Sequence, residues 1–92
     1  MRKLRNKVNN FLEIPNEITS KTPKITTLGF DELLIENYKS ILEYQDFFIR
    51  INTYIGIINI NGFELAMNEM TTDDIMIKGK IESIDFERTV EE

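Results

Sequence analysis

The sequence predicts a small all-β domain, and three observations support this. Short runs of alternating Ile, Phe and Leu follow one another through the second half of the chain, with turn residues between them. A period of two between apolar and polar residues is typical of strands that have one buried face. The dipeptide Asn61-Gly62 separates two of these runs, and Asn-Gly favours the type I′ turns of β-hairpins. The length of 92 residues suits one domain with a modest core.

We therefore expect about seven or eight short antiparallel strands in a sandwich or a rolled sheet, led by one N-terminal helix. A short β-solenoid is the alternative, because successive strands are similar in length and rich in Ile. Neighbouring strands are parallel in a solenoid, whereas Asn61-Gly62 favours local antiparallel pairing.

The pattern divides the chain into four segments. Residues 1–14 form a basic amphipathic helix, 15–23 a polar connector, 24–87 the all-β domain and 88–92 a frayed acidic tail. In the helix, four apolar residues share one face at helical spacing, namely Leu4, Val8, Phe11 and Leu12. Four bases lie largely on the rest of its surface, namely Arg2, Lys3, Arg5 and Lys7. Pro15 disfavours the helical conformation at Ile14, so the helix should end near Glu13.

Three interpretations of this first segment remain open, and one of them is that the segment is frayed and disordered. The helix can pack on the protein's own sheet, because a helix of about twelve residues is marginal in water without a surface to dock on. Alternatively, its bases and apolar face can contact an anionic membrane surface or a protein partner. The eight residues named above are therefore the candidate contact residues.

The strand pattern begins at Lys24 and continues to Glu87. The expected strands include Lys24–Leu28, 33–36, 40–44 and 47–52, followed by apolar sets that each share one face: Ile58 and Ile60, then Phe63, Leu65 and Met67. Near the end, Ile75, Ile77 and Ile81 have one parity, whereas Ile84 and Phe86 have the other. A bulge or break near Gly79 or Ser83 would return the second pair to the core face. We interpret the aromatic residues as core and cross-strand packing.

Composition excludes several kinds of function. The chain has no Cys and no His, so we expect no disulfide, thiolate or zinc site, and the commonest general base is missing. Residues 1–12 carry four bases and no acid, whereas residues 13–92 carry seven bases and all sixteen acids. An acidic body disfavours nucleic-acid binding. No apolar run is long enough for a membrane span or a signal peptide, so we expect a cytoplasmic protein.

Two carboxylate groupings are the only candidates for catalysis or metal binding, and both have a simpler explanation. Asp73-Asp74 follows Thr71-Thr72 between two strands, where these residue types form turns by hydrogen bonding to the backbone. Glu32 and Glu36 have the spacing of a solvated strand face. We predict no catalytic, cofactor-binding or metal-binding residues.

Several strings resemble the YabP/YqfC family of sporulation proteins, and its YqfC branch in particular. They are LEIPNE at 12–17, PKITTLG at 23–29, LLIENYKSIL at 33–42 and a closing pattern formed by Ile75, Ile77, Gly79, Ile81, Ser83 and Phe86. The resemblance implies a protein made in the mother cell during spore formation, without recognised enzymatic activity. It also implies a working relationship with a sporulation membrane protein, YqfD, and hence a peripheral location at the forespore membrane.

The expected function is thus that of a non-enzymatic structural or adaptor protein of endospore formation. Two alternatives from other classes remain: a small ligand-binding β module, and an enzyme that uses a metal or the carboxylates of Asp73, Asp74 or a Glu. Because no proline interrupts a predicted strand, we also expect an unprotected edge strand through which copies of the chain associate.

Overall fold

The computed structural model describes residues 21–89, which form one antiparallel sheet of six strands. The strands are β1 (Lys24–Leu28), β2 (Glu32–Glu36), β3 (Tyr38–Gln45), β4 (Phe48–Thr53), β5 (Gly56–Met70) and β6 (Asp74–Arg88). Their order in the sheet is β1-β2-β6-β5-β4-β3. The predicted all-β antiparallel class is confirmed. Every strand pair is antiparallel, so the alternative solenoid is wrong. The predicted N-terminal helix lies outside the described residues.

The long strands β5 and β6 bend and thereby roll the sheet. β2 pairs only with the start of β6, whereas β4 pairs only with the start of β5. The sheet therefore has two layers. The first contains β1, β2, the start of β6 and the end of β5, and the second contains β3, β4, the start of β5 and the end of β6. Side chains from both layers form one buried cluster, which consists of Leu33, Ile35, Ile49, Ile51, Ile58, Ile60, Leu65, Ile75 and Ile77.

Asn61-Gly62 lies inside β5, so the prediction of a hairpin turn there is wrong. Asn61 pairs with Phe48 of β4 on one side and with Ser83 of β6 on the other, and these long-range pairings override the local turn preference. The hairpin instead turns after Met70, where β5 ends. Two predicted strands are therefore one, and the last stretch is also a single strand, which together account for six strands in place of seven or eight.

The predicted phase change in the last strand is confirmed. Between the pairs Asn61–Ser83 and Gly62–Ile81, β5 advances by one residue and β6 by two, which leaves Glu82 as the extra residue of a bulge. Ile81 and Ile84 consequently both pack against the core although their parities differ. One bent strand results, which was one of the two expected forms.

The expectation that the aromatic residues pack in the core is wrong for most of them. Phe47, Phe63 and Phe86 were assigned to the faces of buried neighbours, yet each is more than half exposed. Phe47 precedes β4, Phe63 lies at a register shift and Phe86 is near the end of β6. At such positions the opposite layer no longer covers the side chain. Tyr38, by contrast, packs against the core.

Candidate functional site

The eight candidate contact residues of the first segment lie outside the described residues, so the structure does not place them. They are Arg2, Lys3, Leu4, Arg5, Lys7, Val8, Phe11 and Leu12. The carboxylate groupings, in contrast, are placed, and they adjoin at one point, where Glu36 of β2 pairs with Asp74 of β6.

Asp73 lies in the turn between β5 and β6, as the sequence predicts, and Asp74 is the first residue of β6. The hydroxyl of Thr71 accepts hydrogen bonds from the backbone N–H groups of Asp73, at 3.3 Å, and Asp74, at 2.9 Å. The backbone carbonyl of Asp73 accepts hydrogen bonds from the N–H groups of Asn37 and Tyr38 at 2.7 and 3.1 Å. This turn therefore fixes the start of β3 through backbone groups.

Glu32 and Glu36 lie at the two ends of β2. Glu32 forms an ion pair with Lys78 of β6, with 3.7 Å between the charged atoms, and both side chains are substantially exposed. Exposed ion pairs of this kind contribute little to stability. Within residues 21–89, no group of three or more acidic side chains has an arrangement that could hold a metal ion.

The two layers of the rolled sheet are joined differently on their two sides. On the β3 side, the hydroxyl of Tyr44 accepts a hydrogen bond from the backbone N–H of Met67, and the hydroxyl of Tyr38 donates to the carbonyl of Thr71. These contacts link β3 of the second layer to the end of β5 in the first. Two tyrosine side chains thus bridge the two layers on the β3 side of the sheet.

The opposite side is an open seam between β1 and the end of β6. Among the described residues, β1 has no partner strand beyond β2, and residues 82–88 of β6 pair only with β5. Two strand edges with free backbone groups therefore face this seam. Such edges are where a further segment or another chain adds to a sheet.

An apolar groove with a volume of about 640 Å³ follows the open seam. Its walls are Pro23 and Ile25 from the first layer and Thr53, residues 55–58 and residues 86–88 from the second. Ile55 and Phe86 are 57% and 65% exposed, so the groove leaves large apolar side chains in contact with solvent. Pockets that bury small ligands have volumes of about 300–1,000 Å³. We call this groove, with its lining Pro23, Ile25, Ile55, Ile57 and Phe86, the seam groove.

The floor of the seam groove is held by a tight turn between β4 and β5. The buried hydroxyl of Thr53 donates to the carbonyl of Gly56 at 2.7 Å and accepts from the N–H of Ile55 at 3.2 Å. Gly56 has a φ of 153°, and a Cβ there would collide with the carbonyl oxygen of Glu87. The sequence therefore presents Ile55 outward at the mouth of the groove on a rigid turn.

A polar network crosses the outer face of the second layer beside the groove. Arg50 donates from Nε to Asn59 Oδ1 at 3.0 Å, and Asn59 donates from Nδ2 to Glu87 Oε2 at 2.7 Å. Arg50 Nη2 also contacts Glu87 Oε2 at 3.2 Å. The pKa of Glu87 is lowered, and the hydrogen bond from Asn59 is the main cause. The hydrogen bond and the charge of Arg50 lower it further, whereas desolvation raises it. Glu87 is thus held as an anion in a satisfied network, which is unsuited to general acid catalysis at neutral pH.

Comparison with known proteins identifies the family. A sequence model described as the YabP family matches residues 19–92. The chain belongs to the YabP family. A relative described as the uncharacterized protein YqfC of Bacillus subtilis (strain 168) is 26% identical over 75 residues, which cover 82% of this chain and 81% of the relative. No solved structure matches the chain.

Membership of the YabP family suggests a sporulation-related protein and assigns no specific molecular activity. The resemblance deduced from the sequence motifs is therefore confirmed. The family match begins at residue 19 and covers all six strands with the seam groove, whereas the whole of the basic first segment, residues 1–14, precedes it. Within residues 21–89, no helix is both long and apolar enough to cross a bilayer.

Sequence reasoning missed the seam groove. Its apolar residues come from the start of β1, the β4–β5 turn and the end of β6, which are distant along the chain. The one local signal was Tyr54-Ile55 before Gly56, two large apolar residues in a turn where polar residues are usual.

Proposed function

We propose that this chain is a non-enzymatic adaptor of endospore formation that acts in the mother cell by binding other components. The free strand edges along the open seam are the observation that carries this proposal, namely the outer edge of β1 and that of residues 82–88 of β6. A segment of another chain can add to a sheet at such edges. Family membership supports the link to sporulation.

The chemistry of the described carboxylates favours this adaptor over an enzyme. Asp73 lies in a turn, Glu32 pairs with Lys78, and Glu87 forms an ion pair with Arg50 and accepts a hydrogen bond from Asn59. An active site would bring titratable groups with opposed pKa shifts into a cleft. The seam groove would also suit a small apolar ligand, which keeps the ligand-binding module as the second candidate function.

The basic first segment is the proposed attachment point of the adaptor. Arg2, Lys3, Arg5 and Lys7 place four positive charges ahead of a body in which acids outnumber bases. Such a segment is attracted to an anionic membrane surface or to the acidic cytoplasmic part of a membrane protein. We propose that it holds the chain at the periphery of the forespore membrane, beside a sporulation membrane protein of the YqfD kind.

The role in sporulation is tested by deleting the gene in the endospore-forming organism that encodes it. We expect fewer heat-resistant spores and an altered cortex or coat in electron micrographs. Complementation with wild-type chain should restore both, and so should a variant with Asp73→Asn, Asp74→Asn, Glu32→Gln and Glu36→Gln. Normal yield and morphology after deletion would contradict the sporulation role. A folded carboxylate variant that fails to complement would favour the enzyme alternative.

Self-association through an edge strand is proposed at β1. The outer edge of β3 is interrupted by register shifts at Lys39 and Leu42, whereas the five residues of β1 pair with β2 without a shift. Bulges protect an edge from further pairing, and a regular edge invites it. We expect the mass from static light scattering to rise with concentration, and Thr27→Pro to reduce that rise, because the backbone groups of Thr27 face away from β2. A monomer mass that persists into the high micromolar range would contradict this proposal.

A further inference from the structure

We propose that the seam groove is the docking site of the chain's own first segment, whose apolar face fills it. The occupant is the stripe formed by Leu4, Val8, Phe11 and Leu12. This inference goes beyond the proposed function, since it concerns how the domain is completed, and it does not depend on the role in sporulation.

The position at which the chain enters the described region supports this occupant. Pro23 itself lines the seam groove. The ammonium group of Lys21 lies 5.8 Å from the centre of the Tyr54 ring, and Tyr54 is the neighbour of Ile55 in the groove wall. The twenty residues before Lys21 therefore join the domain at the mouth of the groove. The first segment is therefore tethered next to the groove, whereas a second copy or another protein would have to bind there from solution.

The length of the segment fits this path. A helix of about 12 residues is about 18 Å long. The connector between it and Lys21 has enough residues to span up to about 20 Å when extended, so the helix can fold back along the groove. The longest dimension of the described domain is 38 Å, and the groove occupies one side of it. The segment can therefore reach the groove without crossing to another side of the domain.

Chemical complementarity supports the same occupant. Six of the ten residues that line the groove are Ile, Pro or Phe, the others being Thr53, Gly56, Glu87 and Arg88, and the stripe consists of Leu, Val and Phe. Docking removes both apolar surfaces from water, which is favourable in proportion to the area buried. The segment's four bases lie largely off the stripe, so docking leaves them at the surface. The four bases that we propose as the attachment point then lie on the surface of the domain. The apolar face of the segment is buried in the groove, so it cannot insert into a membrane.

Two pairs of matched variants of the full chain test the docking. The stripe variant carries Leu4→Ser, Val8→Ser, Phe11→Ser and Leu12→Ser, and its control carries Asn6→Ser, Asn9→Ser and Asn10→Ser. The groove variant carries Ile55→Ser and Phe86→Ser. Its control carries Phe47→Ser and Phe63→Ser, which are each 54% exposed and lie outside the groove. All substituted groove and control positions are exposed, so these two variants should remain folded.

Amide hydrogen exchange is the first measurement. In the wild-type chain and both controls, the amides of residues 8–12 should exchange about tenfold or more slowly than in an unstructured peptide. In the stripe and groove variants this protection should be lost, while core amides such as that of Ile77 keep theirs. The loss should be the same at low and high salt, because the contact is apolar. Exchange of residues 8–12 at unstructured rates in the wild-type chain would overturn the proposal.

Methyl NOE spectroscopy identifies the occupant. We expect contacts from the methyl groups of Ile55 and Ile57 to Leu4, Val8 or Phe11. A mixture of two samples, each labelled on only one of the two contacting groups, reports contacts between copies. We expect the contacts to be absent from that mixture and present in the uniformly labelled chain. Contacts found only between copies would overturn the proposal in favour of an exchanged dimer. Groove methyl groups without contact to the first segment would overturn it as well. The spore phenotype of the deletion is unaffected by either result, so the two proposals fail separately.

Discussion

Replacing Gly62 with alanine should cost about 3 kcal/mol or more of the free energy of unfolding. A Cβ at this position would collide with the carbonyl oxygen of Lys80 and lie 3.1 Å from the Cα of Ile81. These are backbone atoms of the neighbouring strand, so the bent β5–β6 pair would have to separate where it rolls the sheet. A small domain has few kcal/mol to lose, and partial unfolding is expected.

Gly62→Asn separates this explanation from that of a hairpin turn. Asn is favoured in a type I′ turn, so a turn at Asn61-Gly62 would tolerate the substitution. In the rolled sheet, Asn should be at least as damaging as Ala, because it adds the same Cβ. Gly29→Ala is the control. Gly29 has a φ of 61° and open space around it, so a Cβ there would meet no other atom. The substitution should lower the free energy of unfolding by about 1–2 kcal/mol, the cost of a left-handed conformation in a residue with a Cβ. Urea unfolding followed by circular dichroism measures all three. A near-neutral Gly62→Asn would contradict the continuous strand β5.

Local patterns predicted those parts of the fold that depend on neighbouring residues. Alternation placed Ile58 with Ile60 on one face, which is buried, and the change of parity between Ile81 and Ile84 located a bulge near Ser83. Thr71 and the two following aspartates were recognised as a turn. In each case, the physical cause acts within a few residues along the chain.

The failures have long-range causes. The turn preference of Asn61-Gly62 is weaker than the pairing of β5 with strands on both sides. Alternation assigned Phe63 and Phe86 to a face, but it cannot tell whether the opposite layer extends over them. The seam groove arises where β1 passes the end of β6, more than fifty residues away in sequence, and no short pattern encodes that approach. The first segment could be characterised by its charge and apolar stripe alone.

Neutralising the first segment should abolish most attachment to an anionic surface. Each base near an anionic leaflet contributes about 1 kcal/mol, so four of them contribute about 4 kcal/mol, which is on the order of a thousandfold in the partition coefficient. Replacing Arg2, Lys3, Arg5 and Lys7 with Gln removes this attraction without touching the described sheet, so the unfolding transition should be nearly unchanged. A matched variant with Lys24→Gln, Lys39→Gln, Lys78→Gln and Lys80→Gln makes the same change in net charge in the body of the protein.

Cosedimentation with vesicles that contain phosphatidylserine is the measurement that tests the attachment claim most directly. The wild-type chain and the body variant should sediment with these vesicles at low salt, and the segment variant should stay in solution. Binding should fade as salt rises, because about 1 M salt shortens the Debye length to about 3 Å. If only membranes that carry the sporulation membrane protein bind the wild-type chain, and the segment variant fails on them, the attachment is to protein. If the segment variant binds as well as the wild-type chain on both membranes, the first segment is not the attachment point and the account is contradicted.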